Sequence, residues 1–243
     1  MDVTADDEIR QISVGKPHVV ILGAGASHAA CPQGDKHGRM LPLMNNLIET
    51  LGIKDIVAKT GLRFESENFE DIYACIHQDP GLIEIREELE RQVYRYIREM
   101  ELPAHPTIYD HLVLSLRDKD LIATFNWDPF LVQAIRSNSH RFKLPRFFLH
   151  GNVEVGYCAE GQMMGSNGDS CSHCGSRLEP SRLLYPITQK NPQLDPFISR
   201  QWAMVADALK HAFMVTIFGY GAPTSDARAI ELLKGAWSST DER

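Results

Sequence analysis

Residues 18–27 read HVVILGAGAS, and this stretch decides the fold. Its first half is short, apolar and β-branched, which is typical of a strand buried on both faces in a parallel sheet. Its second half is a Gly-Ala-Gly-Ala-Ser turn that leads into small residues and predicts the start of a helix. Glycines in such a turn let the backbone approach a phosphate, and a helix N-terminus offers unpaired N–H groups. A turn that binds nothing is the alternative, because the third glycine of the dinucleotide fingerprint would fall at His28.

Composition limits the classes to which the protein can belong. The 243 residues are 43% hydrophobic and 23% charged, which is ordinary globular chemistry and excludes wholesale disorder. The formal net charge of −7 does not favour a nucleic-acid partner. No stretch is long and apolar enough to predict a membrane span. The N-terminus, MDVTADDEIR, is acidic where a secretory signal would be basic, so we expect a cytoplasmic protein.

Four apolar runs predict strands, and helical patterns lie between them. The runs cover residues 18–22, 121–124, 146–149 and 213–218, and the block 42–102 has mostly helical periodicity. Further helices are expected at 196–212 and 225–237. We therefore expect an α/β fold: a Rossmann-like parallel sheet with helices on both faces, a helical insertion and a small cysteine-bearing insertion.

Polar or glycine-rich clusters follow each predicted strand. They comprise Gly23–Ser27, Thr124–Asp128, His150–Gly151 and Gly219–Gly221. Ligands of open parallel sheets bind at the carboxyl ends of the strands, so we expect these clusters to converge on one crevice. Taken singly, an Asx turn would explain one residue of the second cluster, and a lone histidine is more often structural.

Three of the five cysteines lie close together in the sequence. Cys171 and Cys174 form a C-x-x-C-G knuckle, and Cys158 supplies a third thiol. Structural zinc takes four nitrogen or sulfur ligands, and the fourth is left open between His173, a residue elsewhere in the chain and no ligand at all. A partly degenerate zinc ribbon is the first interpretation, and a loop that has lost its metal is the second. Cys31 and Cys75 are expected to be ordinary thiols.

The order of these motifs resembles the sirtuin superfamily, whose members cut the nicotinamide–ribose bond of NAD. The resemblance runs from about residue 18 to residue 237. In its details the sequence resembles the prokaryotic NAD-hydrolase branch that serves antiviral defence more than the protein deacylases, because residues 38–44 lack the Asp-Phe-Arg element of the deacylases. Residues 68–73 and 218–221, followed by Asp226, are also similar to that branch. Gly221 stands where the family commonly has serine, and the cysteine module is more like the deacylases.

The resemblance implies a role for each site residue. Asn126 would hold the nicotinamide ribose and a water molecule, and His150 would act as the general base. The NAD-binding residues would be Gly23, Ala24, Gly25, Ser27, Thr124, Asp128, Gly219, Gly221 and Asp226. Cys158, Cys171 and Cys174 would hold structural zinc.

The resemblance also implies a domain organisation. Residues 1–31, 103–150 and 181–243 would form the Rossmann-like NAD-binding core, with a helical insertion at 32–102 and a cysteine-rich module at 151–180. In this superfamily another parallel strand usually follows the last helix, so we expect either a fragment or a strand supplied by another subunit.

The first functional hypothesis is an NAD⁺ glycohydrolase that acts as a toxic effector in anti-phage defence, as a homo-oligomer or with a partner defence subunit. An NAD-dependent protein-lysine deacylase is the second hypothesis. A non-catalytic module that senses NAD or ADP-ribose is the third, although a sensor has no use for a base beside the ribose.

Overall fold

The computed structural model describes residue 4 and residues 15–138, 143–160, 162–186, 195–223 and 226–238. The strands are β1 (His18–Leu22), β2 (Leu121–Thr124), β3 (Arg146–Phe148), β4 (Val155–Cys158), β5 (Met163–Ser166), β6 (Glu179–Pro180) and β7 (Met214–Phe218). The helices are α1 (Ala24–Ala30), α2 (Leu47–Thr50), α3 (Lys54–Ala58), α4 (Phe69–Gln78), α5 (Ile83–Arg98), α6 (Ile108–Ser115), α7 (Phe130–Ser137), α8 (Pro196–His211) and α9 (Ala227–Ser238).

The main sheet is parallel and has the order β3-β2-β1-β7. In β1, Val19 to Leu22 are all buried, and so is every residue of β2. Successive strand residues point to opposite faces, so unbroken burial means that both faces of these central strands are covered. The α/β fold expected from the sequence is thus confirmed.

The helical block between β1 and β2 differs from the expectation in one place. The leucine spacing after Pro42 predicts one helix, but the structure has the short α2 and α3 instead. Gly52, with φ +66°, lies between them and ends the first turn in a left-handed conformation. Asn68 caps α4, since its side chain accepts a hydrogen bond from the backbone N–H of Glu70 at 2.8 Å.

Among the residues that the structure describes, buried apolar side chains form three clusters. The largest surrounds the parallel sheet, the second joins α4 and α5 of the helical block, and the third is the small core of the cysteine module. The expected division into a core, an insertion at 32–102 and a module at 151–180 stays a prediction. Trp127 and Val153 belong to the second cluster and tie the end of the sheet to the helical block.

The cysteine module is a second, antiparallel sheet of order β5-β4-β6. Tyr157 of β4 pairs with Met164 on one side and with Glu179 on the other. Within the described ranges, no helix is long and apolar enough to cross a bilayer. Residues 224 and 225, where the cap of the last helix is expected, lie outside the described residues.

Candidate active site

The carboxyl ends of the four parallel strands meet at one edge of the main sheet. Leu22 at the end of β1 pairs with Thr124 of β2 and with Phe218 of β7. Thr124 pairs in turn with Phe148 of β3. The polar clusters that follow these strands are therefore brought to the same edge, as the topology of an open parallel sheet requires.

The two glycine turns after β1 and β7 are packed against each other. The N–H of Gly23 donates to Phe218 O at 3.0 Å, and the N–H of Gly25 donates to Gly219 O at 2.8 Å. A Cβ on Gly219, whose φ is +66°, would lie 2.0 Å from the backbone nitrogen of Ala26. Glycine is thus required here by the contact between the turns. Gly221 has open space around its Cα, and Ala24 and Gly25 are exposed.

A hydrogen-bonded network lies beneath these turns and joins three parts of the chain. Ser27 Oγ donates to Asp128 Oδ2 at 2.6 Å and lies 2.6 Å from the hydroxyl of Tyr109. Asn126 Nδ2 lies 2.9 Å from Gly23 O, 2.8 Å from Ser27 Oγ and 3.2 Å from Tyr109 Oη. A serine hydroxyl has one proton. Because Ser27 donates that proton to its hydrogen bond with Asp128, its oxygen accepts from the Tyr109 hydroxyl and from the Asn126 amide. The network fixes the amide nitrogen of Asn126 toward the protein.

The Asp128 carboxyl group is the acceptor at the end of this network. Its Oδ1 also accepts from the backbone N–H of Phe130 at 3.2 Å. Burial raises the pKa of Asp128 to about 6, although the hydrogen bonds from Ser27 and the backbone oppose the shift. Burial, together with the nearby Asp128 charge, raises the pKa of Cys31 to about 12, so this thiol is inert near neutral pH.

The turn after β3 holds His150 at the same edge. Its side chain is buried and its ring meets that of Phe125 edge-on, with 4.8 Å between centroids. Gly151, with φ +79°, leaves no room for a side chain, since a Cβ would lie 1.8 Å from Arg182 O. The backbone oxygen before the turn, Leu149 O, accepts from Trp202 Nε1 at 3.1 Å. These contacts fix the backbone that carries the imidazole.

A second carboxyl group, that of Asp226, faces His150. Its Oδ1 lies 3.6 Å from His150 Nε2, and its Oδ2 accepts from the hydroxyl of Tyr220 at 3.1 Å. Both side chains of the His150–Asp226 pair are less than a tenth exposed. The Tyr220 ring stacks on Phe125 at 4.2 Å, nearly parallel to it. An amide, an imidazole and two carboxyl groups thus lie at one sheet edge, which suits proton transfer and the binding of a ribose.

Three residues of this site were missed by the sequence interpretation. Tyr109 reaches Ser27 from α6, and the only local signal for that helix is the capping box of Thr107 and Asp110. Asn152 Nδ2 donates to Asp128 O at 2.6 Å and to Asn126 O at 3.3 Å. Ser181 in turn donates to Asn152 O at 2.8 Å. The last two have no motif that could have revealed them.

The cysteine module contains a group that could hold a metal ion. The thiols of Cys158, Cys171 and Cys174 lie within 4.8 Å of one another, and Cys158 and Cys171 are buried. Zinc takes thiolates at about 2.3 Å in a tetrahedron, which places its sulfurs roughly 3.8 Å apart. Hydrogen bonds from Ser176 and the neighbouring thiols lower the pKa of Cys174 to about 7, which favours the thiolate that binds metal. Among the described residues, His173 is not part of this group.

The structure places most of the expected site residues together. Those at the sheet edge are Gly23, Ala24, Gly25, Ser27, Thr124, Asn126, Asp128, His150, Gly219, Gly221 and Asp226. The three cysteines form a separate group within the antiparallel sheet.

No protein-family model matches this sequence, and no curated protein matches it. Among solved structures, a Sir2 homologue in complex with NAD is 15% identical, covers 96% of this chain and 80% of its own, and has a TM-score of 0.44. A mutant Sir2 homologue in complex with ADP-ribose is 14% identical, with 97% and 82% coverage and a TM-score of 0.47. A Sir2 enzyme bound to a propionylated peptide is 14% identical, with 96% and 82% coverage and a TM-score of 0.39. At similarities this low, the function of the chain has to be argued from its own side chains.

Proposed function

We propose that the protein is an NAD⁺ glycohydrolase that releases nicotinamide and ADP-ribose. The observation that carries the proposal is the pairing, at one sheet edge, of a fixed amide and a buried imidazole that faces a carboxylate. The same two residue types at the same motif positions underlie the sirtuin resemblance of the sequence. NAD⁺ would bind across the interlocked glycine turns, with its nicotinamide ribose toward Asn126 and His150.

Water is the nucleophile of this reaction, so the protein has to position NAD⁺ and the water molecule and to accept a proton. As the nicotinamide–ribose bond breaks, the bonding electrons leave with nicotinamide and positive charge develops at the ribose C1′. Water then adds at C1′ and gives up a proton, which His150 accepts. The products are nicotinamide, ADP-ribose and one proton, so charge and atoms balance.

The network under Asn126 has a defined part in this proposal. Its amide nitrogen points to Gly23, Ser27 and Tyr109, which leaves Oδ1 as the atom that would accept from the water or a ribose hydroxyl. Both oxygens of Asp128 accept from the protein, from Ser27 and from Phe130 N. We therefore infer that Asp128 acts through Ser27 by orienting the amide, in addition to any contact with the carboxamide of NAD.

Incubation of the purified chain with NAD⁺, followed by chromatography of the products, tests the proposal. We expect nicotinamide and ADP-ribose in equal amounts, and a loss of at least about 100-fold for His150→Ala and for Asn126→Ala. His105→Ala, in an exposed loop, is the matched control and should keep the wild-type rate. If wild type and His150→Ala release nicotinamide equally fast, the proposal is wrong.

The cysteine group favours one second candidate, an NAD-dependent protein-lysine deacylase, because the sequence resemblance links such a module to those enzymes. In that case nicotinamide is released only when an acylated lysine peptide is present, and the nucleotide product is O-acyl-ADP-ribose. Mass spectrometry of the nucleotide separates the two functions directly.

We further propose, from the sequence resemblance, that NAD⁺ hydrolysis serves as a toxic effector activity in bacterial anti-phage defence within the cytoplasm, in a homo-oligomer or with a partner defence subunit. Expression of wild type should then lower cellular NAD⁺ during phage infection, whereas expression of His150→Ala should not. Unchanged NAD⁺ in infected cells that contain active enzyme would contradict the defence role.

A further inference from the structure

The carboxyl group of Asp226 is held in place on both of its oxygens. Oδ2 accepts from the Tyr220 hydroxyl at 3.1 Å, and Oδ1 faces His150 Nε2 at 3.6 Å. The backbone N–H of Asp226 donates to Pro223 O at 2.9 Å, just before α9 begins. The residue is 4% exposed, so its position is set by the protein and not by solvent.

Tyr220 is in turn fixed against the same histidine. Its ring stacks on Phe125, whose ring meets His150 edge-on. Burial raises the pKa of the Tyr220 hydroxyl, and the neighbouring Asp226 raises it further, so this hydroxyl stays protonated and donates. Asp226 is therefore an acceptor toward both of its neighbours.

A buried carboxylate beside one ring nitrogen decides which tautomer an imidazole adopts. A proton on Nε2 is stabilised by the negative charge at Oδ1, whereas a lone pair on Nε2 would be repelled by it. In a neutral imidazole with a proton on Nε2, the lone pair is on Nδ1. The same carboxylate also stabilises the imidazolium that forms when this nitrogen takes a proton.

We propose that Asp226 is a positioning residue that holds His150 in its Nε2–H tautomer and stabilises the imidazolium that forms when His150 accepts the proton from water. The inference rests on the proposed NAD⁺ hydrolysis and adds to it a role for Asp226 other than as a ligand of the dinucleotide. Loss of the partner that orients a metal-bound histidine lowers metal affinity or activity about 10–100-fold, and we expect a loss of activity of the same order here.

Nitrogen NMR of the full chain, labelled with ¹⁵N-histidine, tests the tautomer without any turnover. Spectra are taken over a range of pH, and the tautomer is determined where the His150 ring is neutral. The His150 signals are assigned by their loss in His150→Gln. We expect a protonated Nε2 in wild type and a mixture of tautomers in Asp226→Asn. Asp120→Asn is the matched control, because Asp120 is equally buried but lies at the opposite end of the sheet, beside His18.

Kinetics on the same variants test the consequence. We expect Asp226→Asn to lower kcat for NAD⁺ hydrolysis by about 10–100-fold with KM changed less than about threefold. A rise in KM with kcat unchanged would instead identify a dinucleotide ligand, and an unaltered His150 tautomer would also overturn the inference. If wild type does not hydrolyse NAD⁺ but Asp226→Asn shifts the tautomer, the proposed function fails and the positioning role stands.

Discussion

Replacing Asp128 by asparagine removes a charge that the fold buries at a cost. The carboxyl group is buried, with the residue 5% exposed, and its pKa is raised from 3.8 to about 6. Asparagine has nearly the same shape and keeps an oxygen that can accept from Ser27. The variant therefore removes the ionisation, and its amide nitrogen cannot replace the oxygen that accepts from the backbone N–H of Phe130. The loss of that hydrogen bond costs about 1 kcal/mol at every pH, so it cancels when values at different pH are compared.

The size of the effect follows from the two pKa values. Below about pH 3 the group is neutral in both the folded and the unfolded chain. As the pH rises, the unfolded chain loses its proton first, so the wild type loses stability until the pH passes about 6. The interval between the two pKa values, 3.8 and about 6, at about 1.4 kcal/mol per pH unit gives a loss of stability of about 3 kcal/mol. We expect the free energy of unfolding of Asp128→Asn, minus that of wild type, to rise by that amount between about pH 3 and pH 7.

Urea denaturation followed by tryptophan fluorescence at several pH values measures this difference, and other titrating groups cancel in it. Asp120→Asn is the control, and we expect its stability difference from wild type to change with pH in the opposite direction. Burial opposes the ionisation of Asp120, but hydrogen bonds from the side chain of Arg117 and from two backbone N–H groups lower its pKa. That variant should therefore lose stability relative to wild type as the pH rises. A difference for Asp128→Asn that does not change with pH would refute the reasoning.

Three further predictions concern packing, metal and positioning. Gly219→Ala should lower the free energy of unfolding by about 3 kcal/mol or more, because its Cβ would clash with backbone atoms in a left-handed turn. The control Gly221→Ala should change the free energy of unfolding by less than about 0.5 kcal/mol. Equal losses for the two variants in urea denaturation would contradict the packing of the two glycine turns against each other. Elemental analysis should find one zinc per chain in wild type and in the control Cys75→Ser but none in Cys171→Ser, and equal zinc in all three would exclude the cysteine group as its ligand. Tyr109→Phe removes one hydroxyl of the network; we expect NAD⁺ hydrolysis to fall about tenfold with about 1 kcal/mol lost in stability, and an unchanged rate of nicotinamide release would place the tyrosine outside the positioning network.

The strands of the sheet could be predicted because their signals are local. The run at 18–22 is apolar, β-branched and ended by glycine, and β1 has those bounds in the structure. The same holds for 121–124 and β2. Helix α6 was missed because its sequence, IYDHLVLS, has β-branched and apolar residues without a clear helical stripe. Its capping box is the signal that outweighs them.

The reasons for particular glycines could not be predicted in the same way. A turn rich in glycine is compatible with bound phosphate, a tight bend or a close backbone neighbour, and the local sequence is the same in each case. In the structure, a Cβ on Gly23 would lie 2.5 Å from the Cα of Tyr220, a residue from the far end of the chain. Only the packing of β7 beside β1 creates that requirement.

The sequence by itself determined the α/β class, the parallel strands and the sheet edge at which the polar residues collect, because hydrophobic periodicity and turn chemistry act over a few residues. The tertiary structure alone decided which side chains touch. Tyr109 meets Ser27, and Asp226 meets His150, across long separations in the chain. Such contacts depend on strand order and on how helices pack over the sheet. These are properties of the whole chain, so no short stretch of it encodes them.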